Sequence, residues 1–135
     1  MKKEFVPYEQ ALELKKLGFN EPCYAYFSNK YTYVDTIIKP IHVISENINE
    51  SALIRKLEIT CLSPTFSKAF RWFREKYNLI PDIQYYGNWN FEIFRIGEFA
   101  EPMDDVNVDY TFKGGTYEEA ELECLKKLIE IIKNK

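Results

Sequence analysis

The chain has one histidine, His42, and three cysteines, Cys23, Cys61 and Cys124. The cysteines lie far apart and match no zinc-ligand spacing. A Ser-His-Asp or Cys-His arrangement would have to use His42. That residue stands between Ile41 and Val43 with no nucleophile motif nearby, and it reads as a solvent-facing strand residue. No run of about 18 apolar residues occurs, which argues against a membrane-spanning helix. The opening MKKEFVPYEQ lacks the apolar stretch of a signal peptide. With an odd number of thiols, this leads us to expect reduced cysteines and a cytoplasmic protein. Net positive charge is missing too: at −3, with a pI of about 5.3, the chain has no bulk pull toward nucleic acid.

Phosphate loops are also absent. Gly114-Gly115-Thr116 precedes a helix, but Glu118 and Glu119 fill its first turn and would repel an anion. Asp105, Asn107 and Asp109 mimic the start of a calcium loop. The loop's glycine is replaced by Tyr110 and its closing glutamate by Thr116. Alternation with Val106 and Val108 fits a strand better. No pair of carboxylates stands in a glycosidase-like context. We therefore assign no catalytic residue, no metal and no cofactor, and expect no enzyme.

Aromatic residues are plentiful: ten Phe, ten Tyr and two Trp in 135 residues. They suit a large core, and the surplus of tyrosine hints at a contact surface. One stretch, SPTFSKAFRWFREKY over 63–77, organises the reading. Ser63 reads as an N-cap and Pro64 as the first helical residue. Phe66, Ala69, Phe70, Phe73 and Tyr77 recur at the helical period on one face. Lys68, Arg71, Arg74 and Glu75 lie opposite, with Trp72 at the edge.

Elsewhere the pattern predicts a first helix over 7–17 stopped by Gly18, with Tyr8, Ala11, Leu12 and Leu14 on one face and a Glu13–Lys16 surface pair. A strand over 23–28, a turn at Asn29-Lys30 and a partner strand over 31–38 follow, broken at Lys39-Pro40. A short strand over 41–45, a polar loop over 46–51 and a strand over 57–62 come next. Pro81 is expected to end the central helical region. A hairpin over 82–95 is expected to turn through Gly87-Asn88-Trp89, which pairs Tyr85 with Phe91 and Ile83 with Ile93 and leaves Trp89 at the tip. An acidic connection over 98–105 and a strand over 106–112 precede the last helix, 117–133. That helix opens on a capping box, Thr116 to Glu119. Its apolar stripe spans roughly 200° of the wheel, wider than the roughly 100° of one core-facing stripe. Either the first helix or a second copy of the chain would cover the excess. The whole reads as one domain over 1–135, α+β in class, an antiparallel sheet covered on one face by three helices.

Three blocks carry a resemblance: EFVPYEQALELKKLGFNEPC (4–23), SPTFSKAFRWFREKYNL (63–79) and TYEEAELECLKKLIEIIK (116–133). In order and spacing they resemble an uncharacterised family of small proteins from phages and prophages of Bacteroidetes-type bacteria. The segment 24–62 matches nothing comparable. The resemblance implies a phage-associated protein acting in the bacterial cytoplasm and carries over no catalytic residue.

For binding, the basic stripe Lys68, Arg71 and Arg74 beside Trp72 is one candidate, since Arg next to an aromatic grips protein partners, phosphates or bases. Trp89 with Tyr86 at the hairpin tip is the other. The favoured expectation is a non-enzymatic accessory protein that binds a host protein, in host takeover or counter-defence. A small nucleic-acid binder using the basic stripe, a nucleotide or small-molecule binder, and a structural virion component are the alternatives. A homodimer through the last helix remains open.

Overall fold

The computed structural model describes residues 4–34, 37–48, 59–95, 108–110 and 115–134, with side chains described over 4–28, 40–43, 60–95 and 115–134. The fold is α+β. Among the described residues are three helices, α1 (Tyr8–Lys16), α2 (Phe66–Tyr77) and α3 (Tyr117–Lys133), and six strands. The strands are β1 (Cys23–Val34), β2 (Ile37–Ile48), β3 (Ile59–Leu62), β4 (Leu79–Tyr85), β5 (Trp89–Arg95) and β6 (Val108–Tyr110). All pair antiparallel, in two three-stranded sheets ordered β2-β1-β3 and β4-β5-β6. Contacts divide the chain into two compact units, Met1–Thr65 and Phe66–Lys135, each holding one sheet.

In the first unit α1 runs as expected. Ala11 and Leu14 are buried, and Lys16 reaches Glu13 at 3.3 Å. The helix ends in a Schellman motif: Gly18, at φ 97°, donates to Lys15 O, and Phe19 donates to Leu14 O. Phe19 and Leu14, the positions whose apolar side chains accompany that motif, are both buried. Lys15 Nζ then reaches Thr60 O in β3 at 2.8 Å, tying the helix to the sheet.

The turn expected at Asn29-Lys30 does not form, because β1 continues to Val34. Phe27 faces His42 and Tyr31 faces Pro40, so four steps along β1 match two along β2. The surplus is absorbed as a bulge rather than a reversal. Lys39-Pro40 likewise does not break β2, and Glu46 to Ile48, expected in a loop, belong to that strand. Proline is tolerated because β2 is an edge of the sheet, where a missing N–H disrupts no central ladder. Cys23, Ala25 and Phe27 point inward at period two while Tyr24 is exposed.

In the second unit Phe66, Ala69, Phe70 and Phe73 of α2 are buried, as the helical period requires. The helix begins at Phe66, later than the expected Ser63–Pro64 start. Asn78 takes a left-handed conformation, φ 57°, and ends it. The chain enters β4 at once, so Pro81 lies inside this edge strand, opposite Ile93, instead of ending a helix. α3 has the expected bounds, and its Thr116 Oγ1 accepts from Glu119 N at 3.1 Å. Ala120, Cys124, Leu125, Leu128 and Ile129 are buried, with α3 packed on β4, β5 and α2. Leu122, Ile131 and Ile132 are half-buried. The expected connection over 98–105 lies outside the described residues. So do the strand positions 106, 107, 111 and 112.

Candidate functional site

The hairpin β4–β5 turns one residue earlier than the sequence suggests. Its three-residue loop is Tyr86-Gly87-Asn88, and Tyr85 pairs with Trp89, Ile83 with Phe91 and Pro81 with Ile93. The slip relative to the expected register is two residues along one strand, so the same side chains keep the same face. Gly87 sits at φ 78°, a value that suits glycine in the loop centre, and Tyr86 N donates to Asn88 O at 3.0 Å. Trp89 is therefore not at the tip. It belongs to the last rung of the ladder and is half-buried.

That rung ends the apolar face. Leu79, Phe91 and Ile93 are fully or nearly fully buried along it. At the open end, Trp89 is held between two tyrosines. The Tyr85 ring lies 5.1 Å away at 57°, and the Tyr117 ring, from the first turn of α3, lies 5.2 Å away at 80°. Tyr85 is 62% exposed, Tyr86 73% and Tyr117 41%. Two of the four large apolar side chains standing out into solvent among the described residues thus touch one tryptophan; a third, Tyr86, follows Tyr85 in the adjoining loop, and the fourth, Tyr24, is in the other unit.

Carboxylates flank this group. The Tyr117 hydroxyl donates to Glu121, one helical turn on. Burial and the neighbouring Glu118 push the Glu121 carboxyl above the usual carboxylate range, against the pull of that hydrogen bond. Burial, with Glu121 adding to it, pushes the Tyr117 hydroxyl upward as well.

The α2 stripe turns out differently. Trp72, expected at its edge, is buried, 6% exposed, with its ring edge-on to Phe73 and Tyr77. Its bulk is core, because the apolar face of α2 is wider than the strict period suggests. Lys76 lies over its ring, 5.0 Å from the centroid. Arg71 is exposed and pairs with Glu75 at 3.0 Å, Arg74 is exposed, and Lys68 is half-buried. A stacking aromatic is therefore not available beside these cations.

His42 is half-buried rather than freely solvent-facing. Its ring stacks on Phe27 at 4.5 Å and meets Phe5 edge-on at 5.6 Å. Ser63, fully buried, donates its hydroxyl to Val6 O at 3.0 Å and lies 3.0 Å from His42 Nε2. One hydroxyl has one proton, so Ser63 accepts from His42 Nε2–H. The polarity is the reverse of a serine nucleophile handing its proton to a base. Instead of capping α2, Ser63 ties three segments of the first unit together. The three cysteines are free thiols and buried. Burial raises Cys61 to about 12 and drives Cys124 upward too, so neither is a ready thiolate. No cluster of three metal-ligating side chains exists among the described residues. No described helix is long and apolar enough to cross a membrane.

Tyr85, Tyr117 and Glu121 were not singled out from the sequence. A signal was available in Tyr85-Tyr-Gly-Asn-Trp89, where glycine at the centre of a three-residue loop makes the two aromatics a cross-strand pair. The chain matches no protein-family model, no curated protein and no solved structure.

Proposed function

We propose that this chain is a non-enzymatic phage or prophage accessory protein that binds a host macromolecule, in first place a protein, in the cytoplasm of its bacterial host. The observation that supports binding is the packing of the exposed Tyr85 and Tyr117 on Trp89, with Tyr86 exposed in the adjoining loop. Rigid aromatic side chains that stay exposed next to one another are the residues that dominate protein contacts. Host takeover or counter-defence rests on the resemblance of the three sequence blocks to the phage family. The non-enzymatic part rests on the buried, protonated thiols and on the reversed Ser63–His42 hydrogen bond.

Nucleic acid is the weaker reading. Trp72 is buried and Arg71 is engaged by Glu75, so the α2 stripe lacks both a stacking platform and part of its free charge. The test is an affinity pull-down of the tagged protein from host lysate, with and without nuclease, read by mass spectrometry. A specific, nuclease-resistant protein supports the proposal. Recovery of nuclease-sensitive material alone overturns it in favour of nucleic acid.

A further inference from the structure

The aromatic group has a charge of its own kind around it. Glu118, Glu119, Glu121 and Glu123 fill the first two turns of α3, and no lysine or arginine occurs on that helix before Lys126. Lys126 takes up Glu123 at 3.1 Å. Glu118, Glu119 and Glu121 form no ion pair among the described residues. The helix dipole offers about half a positive charge at this end, too little to neutralise three carboxylates.

Trp89 stands between Tyr85 and Tyr117, and Tyr117 in turn hydrogen-bonds Glu121. Ring faces attract cations to within about 6 Å of their centroids, and a carboxylate beside the ring adds direct charge attraction. The same chemistry occurs within the second unit, where Lys76 lies 5.0 Å from the Trp72 centroid and 5.6 Å from that of Tyr77.

We infer that the surface formed by Tyr85, Trp89 and Tyr117, edged by Glu118 and Glu121, receives a basic segment of the partner, with an arginine or lysine side chain laid against the aromatic rings. The inference rests on the contact-surface reading above and names the chemistry of what docks there. Charge complementarity selects this occupant. An acidic segment would meet Glu118 and Glu121, and a purely apolar one would leave them without counter-charges. The guanidinium or ammonium group stacks on a ring and faces the carboxylates, which raises association rate and specificity together.

The experiment titrates the full chain with a hexa-arginine peptide and, separately, a hexa-glutamate peptide, following the Trp89 indole N–H resonance by NMR. Hexa-arginine is expected to shift that resonance in a salt-sensitive manner, and hexa-glutamate to leave it in place. The surface variant Glu118→Gln/Glu121→Gln, which keeps the rings, is expected to weaken hexa-arginine binding by about tenfold, within the range of a cation–aromatic and charge contact. Trp89→Leu, which lacks the reporter indole and is therefore titrated by isothermal calorimetry with its fold checked by circular dichroism, is expected to abolish it. Equal binding by the glutamine variant, or binding of hexa-glutamate at Trp89, overturns the inference. The two readings fail separately. A lysate partner lost in Trp89→Leu but kept in the glutamine variant retains the contact surface and removes the cation. A lysate partner indifferent to Trp89 removes the contact surface itself.

Discussion

Tyr85 and Trp89 face each other across the last rung of the β4–β5 hairpin, their rings 5.1 Å apart, with a single three-residue loop between them. Because the loop is Tyr86-Gly87-Asn88, the tryptophan is pinned in the ladder rather than swinging at the tip. A fixed aromatic loses little conformational freedom on binding, which favours a contact role.

Gly87 holds this geometry. A Cβ at its position would touch nothing within 4 Å, so any cost of substitution comes from its φ of 78°. Gly87→Ala should destabilise by about 1–2 kcal/mol, and Gly87→Asn by less, since asparagine tolerates left-handed backbone. Urea denaturation measures both. In Gly87→Ala the Tyr85–Trp89 contact should loosen, visible as a shifted indole resonance.

Ser63→Ala removes the hydroxyl that serves Val6 O and His42 Nε2–H. We expect a loss of about 1–3 kcal/mol, typical of leaving buried polar groups unsatisfied. A double-mutant cycle with His42→Phe should show coupling, whereas additive effects would mean that the two side chains act separately.

Glu121 carries a pH signature. Its folded pKa is raised, by burial first and by Glu118 next. The folded chain therefore binds this proton more tightly than the unfolded chain does. The associated stability is fully present below the ordinary glutamate pKa and is lost as pH rises through the folded value. Glu121→Gln should accordingly be more stable than the native chain near neutral pH, and the difference should close on acidification into the ordinary carboxylate range. Thermal unfolding across pH reads this directly. A Glu121→Gln chain that is less stable at neutral pH would contradict the assignment.

Cys23, Cys61 and Cys124 are buried, with Cys61 raised to about 12. Labelling by a disulfide reagent at neutral pH should be slow in the native state and rapid in denaturant, since only the thiolate reacts and only when reached. Fast native labelling of any one of them would reopen a nucleophilic role.

Much of this molecule is legible in its sequence. Phe66, Ala69, Phe70 and Phe73 recur at the helical period and are buried, and Thr116 with Glu119 marks the start of α3 to the residue. What misleads is local punctuation. Pro40 and Pro81 look like breaks, yet both sit in edge strands, a property of sheet order that no local pattern contains. Asn29-Lys30 looks like a turn, but the pairing of β1 with β2 and β3 outweighs it. Trp72 reads as the rim of a basic face because the helical period alone does not say how wide the buried stripe is. In the candidate site, Tyr86 and Trp89 are visible from the sequence. Tyr117 and Glu121 join them only through the packing of α3 on the sheet, more than twenty residues away in sequence.

The central claim is that the aromatic end of the hairpin, and not the α2 basic face, holds the partner. Its most direct measurement is the affinity of the partner recovered from lysate for two exposed-surface variants, Tyr85→Ser/Tyr86→Ser and Arg71→Ala/Arg74→Ala, by isothermal titration calorimetry. The account predicts that the tyrosine variant binds at least about tenfold more weakly, as expected for loss of contact residues of this type, while the arginine variant binds like the native chain. The reverse order, with binding lost in the arginine variant and kept in the tyrosine variant, would contradict it.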